Sequence, residues 1–268
     1  MSGRPGDVGG GRGAVRRGGV AMRHLIINLE APLMAFGGET IDNLGVIRPF
    51  PAVSMLTGLL ANALGWRRVE RQRHQDLQDR MVFAARIDRE PASGVRMTDF
   101  QTAQLGGSDR GWTTRGRPEG RAGGASTYLA PHLRYRDYYA DMRVTVALRL
   151  EPPEDEPTLD KLAQALREPA RPLFIGRKPC LPSAPLYGDF AEGDTALAAL
   201  LGVAPADDPR GEPCRLQWPR DQGVDEIDAS RTHMITDQRN WVSGLHGGGR
   251  WVCEGTVDRS RWMEVASS

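Results

Sequence analysis

The chain has 268 residues, of which 40% are hydrophobic, so it can form one large domain or a medium domain beside a small one. It has no apolar run near the roughly 18 residues of a membrane span, and we expect a cytoplasmic protein with no membrane contact. The three cysteines are far apart and odd in number, so they predict neither disulfides nor a zinc site. Nothing in the sequence predicts a cofactor or a metal.

The net charge of +1 conceals an uneven distribution along the chain. Residues 1–150 carry 22 Arg against 14 acidic residues, a net +8, whereas residues 151–228 carry 8 basic against 16 acidic residues, a net −8. All but two of the 35 basic residues are arginine, whose planar donor group pairs with phosphate and stacks on bases. A GC-rich genome produces the same bias without any function. Composition therefore favours an anionic partner without identifying it.

The first elements in chain order are a strand, a glycine loop and a helix. Residues 1–21 are rich in Gly and Arg and predict a disordered N-terminal extension. Residues 24–29 predict a buried strand, and glycines at 37 and 38 allow the following loop to turn sharply or to approach a ligand. Apolar residues at helical spacing from Val53 to Leu64 predict a helix that ends at Gly65. Ser54 could cap this helix or, with the free amides, bind a phosphate.

The remaining elements complete an alternating order of strands and helices. They are predicted as a polar helix at 70–79, strands at 81–87, 142–150 and 173–175, and a helix at 157–167. The resulting α+β order is βαββαβ, the arrangement of ferredoxin-like and RRM-like domains. We assign this domain to residues 22–180. Residues 181–268, rich in Pro and Gly, predict a small, mostly β C-terminal domain.

An insertion at about 96–143, between the second and third strands, is the strongest functional indication. Between positions 110 and 136 it carries a net charge of +5 over 27 positions, with aromatic residues interleaved. Cations neutralise phosphates, and flat side chains stack on unpaired bases. We expect a β-hairpin, or thumb, that binds RNA; a surface loop without a ligand is the alternative. The candidate residues are Arg110, Trp112, Arg115, Arg117, Arg121, Tyr128, His132, Arg134 and Arg136.

A second candidate site follows the predicted strand at 173–175. Gly176 is followed by Arg177 and Lys178, so backbone amides and two cations could meet a phosphate. An ordinary turn explains the same residues. Arg48 and Ser54, near the start of the first helix, complete the set of candidate RNA-binding residues.

Catalytic motifs are scarce in the sequence. The five histidines lack metal-ligand spacing, and neither a P-loop, nor a nucleophile elbow, nor a dinucleotide-binding motif occurs. His132, near Tyr128 and Tyr135, could act as acid and base in RNA cleavage. RNA binding without chemistry is the favoured hypothesis. A metal-independent endoribonuclease, and a module whose arginines contact acidic proteins, stay open as alternatives.

Several segments together resemble the CasD family, subunits of the type I-E CRISPR Cascade complex and members of the RAMP superfamily. The resemblance covers roughly residues 22–190 and includes MRHLIINL at 22–29, APLMAFG at 31–37, the Pro-led helix at 50–65 and FIGRKPC at 174–180. The family often has a basic residue where Val53 stands. Each motif is weak alone, and their combination is fairly specific.

The resemblance implies an RRM-like domain with a thumb that holds the 5′ handle of the crRNA. Such a subunit caps the backbone filament, packs on the backbone and large subunits, and meets target DNA indirectly through the complex. In related type I-C proteins the same scaffold cleaves precursor RNA with a Tyr, Lys and His set. Here the insertion at 96–143 contains no lysine. The resemblance therefore implies binding without catalysis.

Overall fold

The structure, a computed structural model, describes residues 21–38, 43–91, 96–104, 111–112, 118–119 and 131–263. At residues 111, 112, 118, 119 and 132 it describes the backbone alone. The predicted disordered extension lies outside these residues except for Ala21. The strands of the described part are β1 Met22–Glu30, β2 Leu33–Met34, β3 Leu44–Gly45, β4 Met81–Arg89, β5 Met97–Ala103, β6 Gly111–Trp112, β7 Pro118–Glu119, β8 His132–Ala140, β9 Arg143–Leu150, β10 Tyr187–Gly193, β11 Cys214–Pro219, β12 Arg231–Ile235 and β13 Arg250–Val257. The helices are α1 Val53–Ala63, α2 Arg71–Arg80, α3 Leu159–Arg167, α4 Ala196–Leu201 and α5 Ser260–Met263.

The largest sheet has seven strands in the order β10-β1-β9-β4-β11-β13-β12, and every neighbouring pair is antiparallel. Leu148 of β9 lies opposite Leu25 on one side and Phe83 on the other, so apolar side chains align across three strands. Because successive side chains of a strand point to opposite faces, the apolar runs of β1, β4 and β9 supply both faces of the sheet. The combination of this sheet with a few helices confirms the predicted α+β class.

Helices α1 and α3 cover one face of the sheet. Leu56 and Leu60 of α1 and Leu162 of α3 are fully buried in one cluster with Leu25 and Leu148 of the sheet. Helix α3 starts at Thr158, whose hydroxyl accepts from the Lys161 amide. The stripe of leucines at helical spacing thus positions both helices on the sheet.

Gly65 ends helix α1 as the sequence predicts. Its φ of +76° lies in the left-handed region, which glycine adopts without the steric penalty of a side chain.

The opposite face packs against α4. Leu200 is fully buried there against Ile26, Ala84 and Ala147, and the last two are paired across β4 and β9. The small side chains of these alanines leave room for the helix to approach. Arg86, also fully buried, donates from Nη1 to the Leu200 carbonyl at 3.1 Å and so ties β4 to the end of α4.

The end of the described chain returns to strand β4. Arg259 donates to the carbonyl oxygens of Glu212 (2.8 Å) and Ala206 (2.9 Å), and to that of Asp88 at the end of β4. The Asp88 carboxylate in turn pairs with the buried Arg86 at 2.5 Å. These polar contacts join the C-terminal residues to the centre of the sheet.

A smaller sheet combines β5 and β8, which lie between β4 and β9 in the chain, with β2 and β3, which follow β1. Strand β8 pairs antiparallel with β5 over residues 97–103, antiparallel with β2 and parallel with β3. A separate short pair joins β6 and β7. The described part of the predicted insertion therefore contains two long antiparallel strands, β5 and β8.

The strand predicted at 173–175 is wrong. These residues form a loop, and β10 takes the place beside β1. The backbone groups of Ile175 are used within the loop: its amide donates to the Cys180 carbonyl and its carbonyl accepts from Ala35. Strand β10 was missed because its sequence, YGDFAEG, is polar at an edge where most side chains stay partly exposed.

Two strands that follow the predicted boundary at residue 180 are hydrogen-bonded to strands that precede it. Strand β10 pairs with β1, and β11 pairs with β4. A separate C-terminal domain at 181–268 therefore stays a prediction. In the part of the chain that the structure describes, no helix has the length and apolar composition needed to cross a membrane.

Candidate nucleic-acid interface

The turn at residues 175–180 packs against the loop after β1 at a distance that only glycine allows. Gly176 has a φ of +87°, and a Cβ atom there would lie 1.8 Å from the carbonyl oxygen of Ala35. The Ala35 amide donates to the Ile175 carbonyl at 3.4 Å. Gly176 therefore fixes where Arg177 and Lys178 leave the turn.

Arg177 connects this turn to the inserted sheet. Its Nη1 donates to the Asp137 carbonyl of β8 and its Nη2 to the Gly45 carbonyl of β3, both at 2.8 Å. The guanidinium also lies 4.9 Å from the ring centroid of Tyr138. Two of its donors thus hold the base of β8 in place. Lys178, next in the chain, is exposed.

The first amides of α1 are bound by a residue from far along the chain. Val53 donates from its amide to Asp237 Oδ2 at 3.2 Å, and the Ser54 amide donates to the Asp237 carbonyl at 3.1 Å. The same carboxylate pairs with Arg250 at 2.9 Å, and the side chain is almost completely buried. Asp237 therefore joins the start of α1 to strand β13.

The predicted capping of α1 by Ser54 is wrong. The N-cap position belongs to Ala52, so Ser54 lies within the first turn, and Asp237 supplies the acceptors that a capping hydroxyl would give. These two amides are also closed to a phosphate while Asp237 is in place. Ser54 itself lines the neighbouring cavity.

A cavity of about 610 Å³, here called the main cavity, lies between four segments. They are the glycine loop after β1, the start of α1, the Gly176 turn and a loop at residues 236–246, here called the C-terminal loop. The main cavity brings together Arg48, Ser54 and Arg177 from the predicted set. Its lining is Ala35, Gly37, Gly38, Arg48, Ala52, Ser54, Met55, Gly176, Arg177, Thr236, Asp237, Arg239, Trp241 and His246. Because Arg177 lines the main cavity and donates to the Asp137 carbonyl of β8, the cavity lies beside this strand.

Sequence reasoning missed the residues of the C-terminal loop. Arg48 donates to the Thr236 carbonyl at 2.6 Å, so this loop closes over the predicted residue. The ring of Trp241 lies 4.8 Å from that of His74, and its Nε1 donates to Gln78 at 3.0 Å. The cluster of Trp, Arg and His residues between 239 and 246 was the available indication, but no periodic pattern placed it near α1.

The edge of the main cavity is cationic. Burial, and then the charge of Arg239, lower the pKa of His246. Burial, and then the charge of Arg68, lower the pKa of Arg239. An anion bound among these groups would offset both repulsions and raise the pKa of His246.

The hairpin of β5 and β8 has one aromatic face and one face that carries two arginines and Asp99. Arg134 and Arg136 are two positions apart and so share a face, where Arg136 Nε donates to Gln101 at 2.9 Å. On the other face, Phe100 lies opposite Tyr135 with ring centroids 5.3 Å apart, and the two are 52% and 36% exposed. Phe100 was not among the predicted residues. Exposed rings at this position suit base stacking.

Most of the predicted thumb residues lie outside the described residues. These are Arg110, Arg115, Arg117, Arg121 and Tyr128, together with the side chains of Trp112 and His132. Their contacts with RNA stay a prediction.

Metal-ligating and nucleophilic side chains are the other groups that could carry chemistry. Among the described residues, no group of three or more His, Cys, Asp and Glu side chains is arranged to hold a metal. Cys180, Cys214 and Cys253 are buried and free, and burial raises the pKa of the first two thiols. Neutral, buried thiols contribute to packing and are poor nucleophiles.

Comparison with known proteins decides the family. The family model described as CRISPR-associated protein (Cas_Cas5) matches residues 24–253. The chain belongs to this Cas5 family. Over 182 residues it is 28% identical to the CRISPR system Cascade subunit CasD of Escherichia coli (strain K12). The aligned region covers 68% of this chain and 77% of that protein. The predicted resemblance to CasD is confirmed.

Two solved structures share the fold of this Cas5 protein. A chain of a CRISPR RNA-guided surveillance complex superposes with a TM-score of 0.60 at 20% identity, covering 88% of this chain and 90% of that chain. A structure described as a crystal structure of a Cas protein gives a TM-score of 0.57 at 24% identity, covering 89% and 96%. The family match reaches residue 253, beyond the predicted limit near 190, and includes the C-terminal loop of the main cavity.

Proposed function

We propose that this Cas5 protein is a non-catalytic, RNA-binding subunit of a Cascade-type surveillance complex. It holds the 5′ handle of the crRNA, caps the backbone filament beside the backbone and large subunits, and meets target DNA only through the complex. Its similarity to the Cascade subunit CasD supports this proposal.

The order of the sheet supports the finer fold assignment. Strands β10-β1-β9-β4 are neighbours, α1 lies between β1 and β4 in the chain, and α3 lies between β9 and β10. This is the order and direction expected of a ferredoxin-like, RRM-like domain. Strands β5 and β8 would then be the stem of a thumb that reaches toward RNA.

The observation that carries the proposal is the main cavity at the base of this hairpin. Arg48, Arg177 and Arg239 line it, and Asp237, its acidic residue, is already paired with Arg250. A single strand of RNA could lie in the cavity and continue along the exposed Phe100 and Tyr135 rings.

The proposal is tested by assembly in the presence of guide RNA. The tagged chain would be expressed with the other subunits and the CRISPR array of its host, and the co-purifying RNA sequenced from its 5′ end. We expect handle-containing crRNA. A variant with Arg115, Arg117 and Arg121 changed to Glu should recover much less RNA, because three thumb cations are reversed.

The matched control reverses three exposed arginines outside the thumb, Arg220, Arg231 and Arg261. It should recover crRNA like the wild type. Equal RNA recovery by the thumb variant and the wild type would remove the thumb from the proposal. Assembly without any RNA would overturn RNA binding and favour a module that contacts acidic proteins.

The absence of catalysis is tested separately. Purified protein in excess would be incubated with repeat-containing precursor RNA in EDTA, and the products separated on a denaturing gel. Intact RNA is expected. Cleavage at one position within the repeat would establish the endoribonuclease alternative instead.

A further inference from the structure

Arg239 stands where the main cavity meets a second cavity. The second, of about 450 Å³, is here called the amide cavity because Gln75, Gln78, Gln238 and Asn240 line it. Arg239 and His246 line both cavities. A chain-like ligand that left the main cavity on this side would therefore pass Arg239.

The guanidinium of Arg239 is held in place and only partly bonded. Its Nη2 donates to the Gly244 carbonyl at 3.1 Å, and its centre lies 5.2 Å from the ring centroid of Trp241. Its Nε is buried and, among the residues that the structure describes, has no hydrogen-bond partner. A buried donor without an acceptor costs stability, so the hydrogen bonding of this guanidinium within the fold is incomplete.

The charge of Arg68 acts on Arg239 without a matching acid. Arg68 is exposed, and within the described residues its side chain has no carboxylate within ion-pair distance. Glu70, the acid between Arg68 and α2, is bound to Arg73 at 2.5 Å. The lowered pKa of Arg239 is partly due to the charge of Arg68, so the two guanidinium groups repel each other.

We infer that Arg239 and His246 form a phosphate-binding site that continues the RNA path from the main cavity into the amide cavity. This site deepens the proposed function and rests on it. It assigns an RNA contact to the C-terminal loop, a segment outside the thumb.

RNA fits this site better than an acidic protein segment does. Gln238 lines the amide cavity, and its side-chain amide can both donate and accept, as recognition of exposed base edges requires. A carboxylate segment would use only its donor.

The site is tested by fluorescence anisotropy with a labelled polyuridine RNA and the full-length protein, over a series of salt concentrations. Arg239→Gln should weaken binding roughly fivefold or more, and the slope of log affinity against log salt should fall by about 0.7 for each phosphate that is no longer neutralised. His246→Glu should act in the same direction, because a carboxylate at this exposed position of the cavity lining repels phosphate. Arg231→Gln, which removes the same charge as Arg239→Gln but at the far end of β12, is the control.

The outcomes separate this site from the proposed function. If the wild type does not bind polyuridine RNA, the site at Arg239 is overturned, and the proposed function is decided separately by the RNA that co-purifies with the complex. If the wild type binds, and both Arg239→Gln and His246→Glu match Arg231→Gln in affinity and salt slope, the site at Arg239 is overturned while the proposed function stands. Urea unfolding of each variant guards against misfolding; His246 is exposed, so its variant keeps the test decisive even if Arg239→Gln unfolds.

Discussion

Single buried charges hold distant parts of this Cas5 protein together. Asp237 joins α1 to β13, and Arg86 with Asp88 joins β4 to α4. Each of these groups has partners from more than one element. Such residues are costly to remove because their partners are left buried and unpaired.

Replacing Asp237 with Ala should lower the free energy of unfolding by about 2–4 kcal/mol. The change leaves the guanidinium of Arg250 without its carboxylate and the Val53 amide without an acceptor. Urea unfolding followed by circular dichroism measures the effect. Asp225→Ala, at an exposed position, should change the free energy by less than about 0.5 kcal/mol. Equal effects of the two changes would contradict the role of Asp237.

His24 should make stability depend on pH. Burial, with a smaller contribution from the Arg149 charge, lowers its pKa from 6.5 to about 4. Between these values the unfolded chain binds a proton that the folded chain does not, so the free energy of unfolding should fall as the pH drops from 6.5 to 4. His24→Gln should reduce this dependence, measured by urea unfolding across the same range. An unchanged slope would exclude His24 as its source; His233→Gln on β12 is the matched control.

At the scale of elements, the close contact between the loop after β1 and the turn at residues 175–180 depends on Gly176. A Cβ atom at this position would overlap the Ala35 carbonyl, and the positive φ adds strain. Gly176→Ala should therefore lower the free energy of unfolding by roughly 2–4 kcal/mol and weaken RNA binding, because Arg177 is displaced. Gly37→Ala should be tolerated, since no atom of the described residues, apart from the chain neighbours, lies within 4 Å of the added Cβ. Equal stability of the two variants would refute the contact.

The sequence predicted the elements that have strong local patterns. Helix α1 and strand β9 follow from leucines at helical spacing and from β-branched residues, and Gly65 marks a helix end through its own backbone freedom. The predicted strand at 173–175 failed because three apolar residues do not distinguish a buried loop from a strand. Asp237 was missed as the partner of α1 because 184 residues separate it from Val53, and no local pattern encodes such a contact.

At the scale of the whole molecule, the C-terminal strands complete the sheet that the N-terminal strands begin. Leu216 and Trp218 of β11, which pairs with β4, are buried, and so is Val252 of β13, the next strand of the sheet. The open edge of β4 would expose apolar surface and unpaired backbone groups without them.

A chain that ends after residue 193 tests the predicted domain boundary. It keeps β1, β4, β9 and β10 but loses β11–β13, so we expect little soluble protein and no cooperative unfolding. Soluble expression and thermal melting would be compared with a chain that ends after residue 263. A cooperative transition in the shorter chain would support an independent domain near the predicted boundary.

The position of Asp237 has a consequence for synthesis on the ribosome. Helix α1 leaves the ribosome long before Asp237 is made, and Arg259 follows the Asp88 that it binds by 171 residues. Contacts between residues so far apart in the sequence form slowly. Until they form, the unpaired edge of β4 is exposed and can aggregate. We therefore expect the nascent chain to fold only after its release, with chaperones covering β4 until then, and to join its complex as a finished subunit.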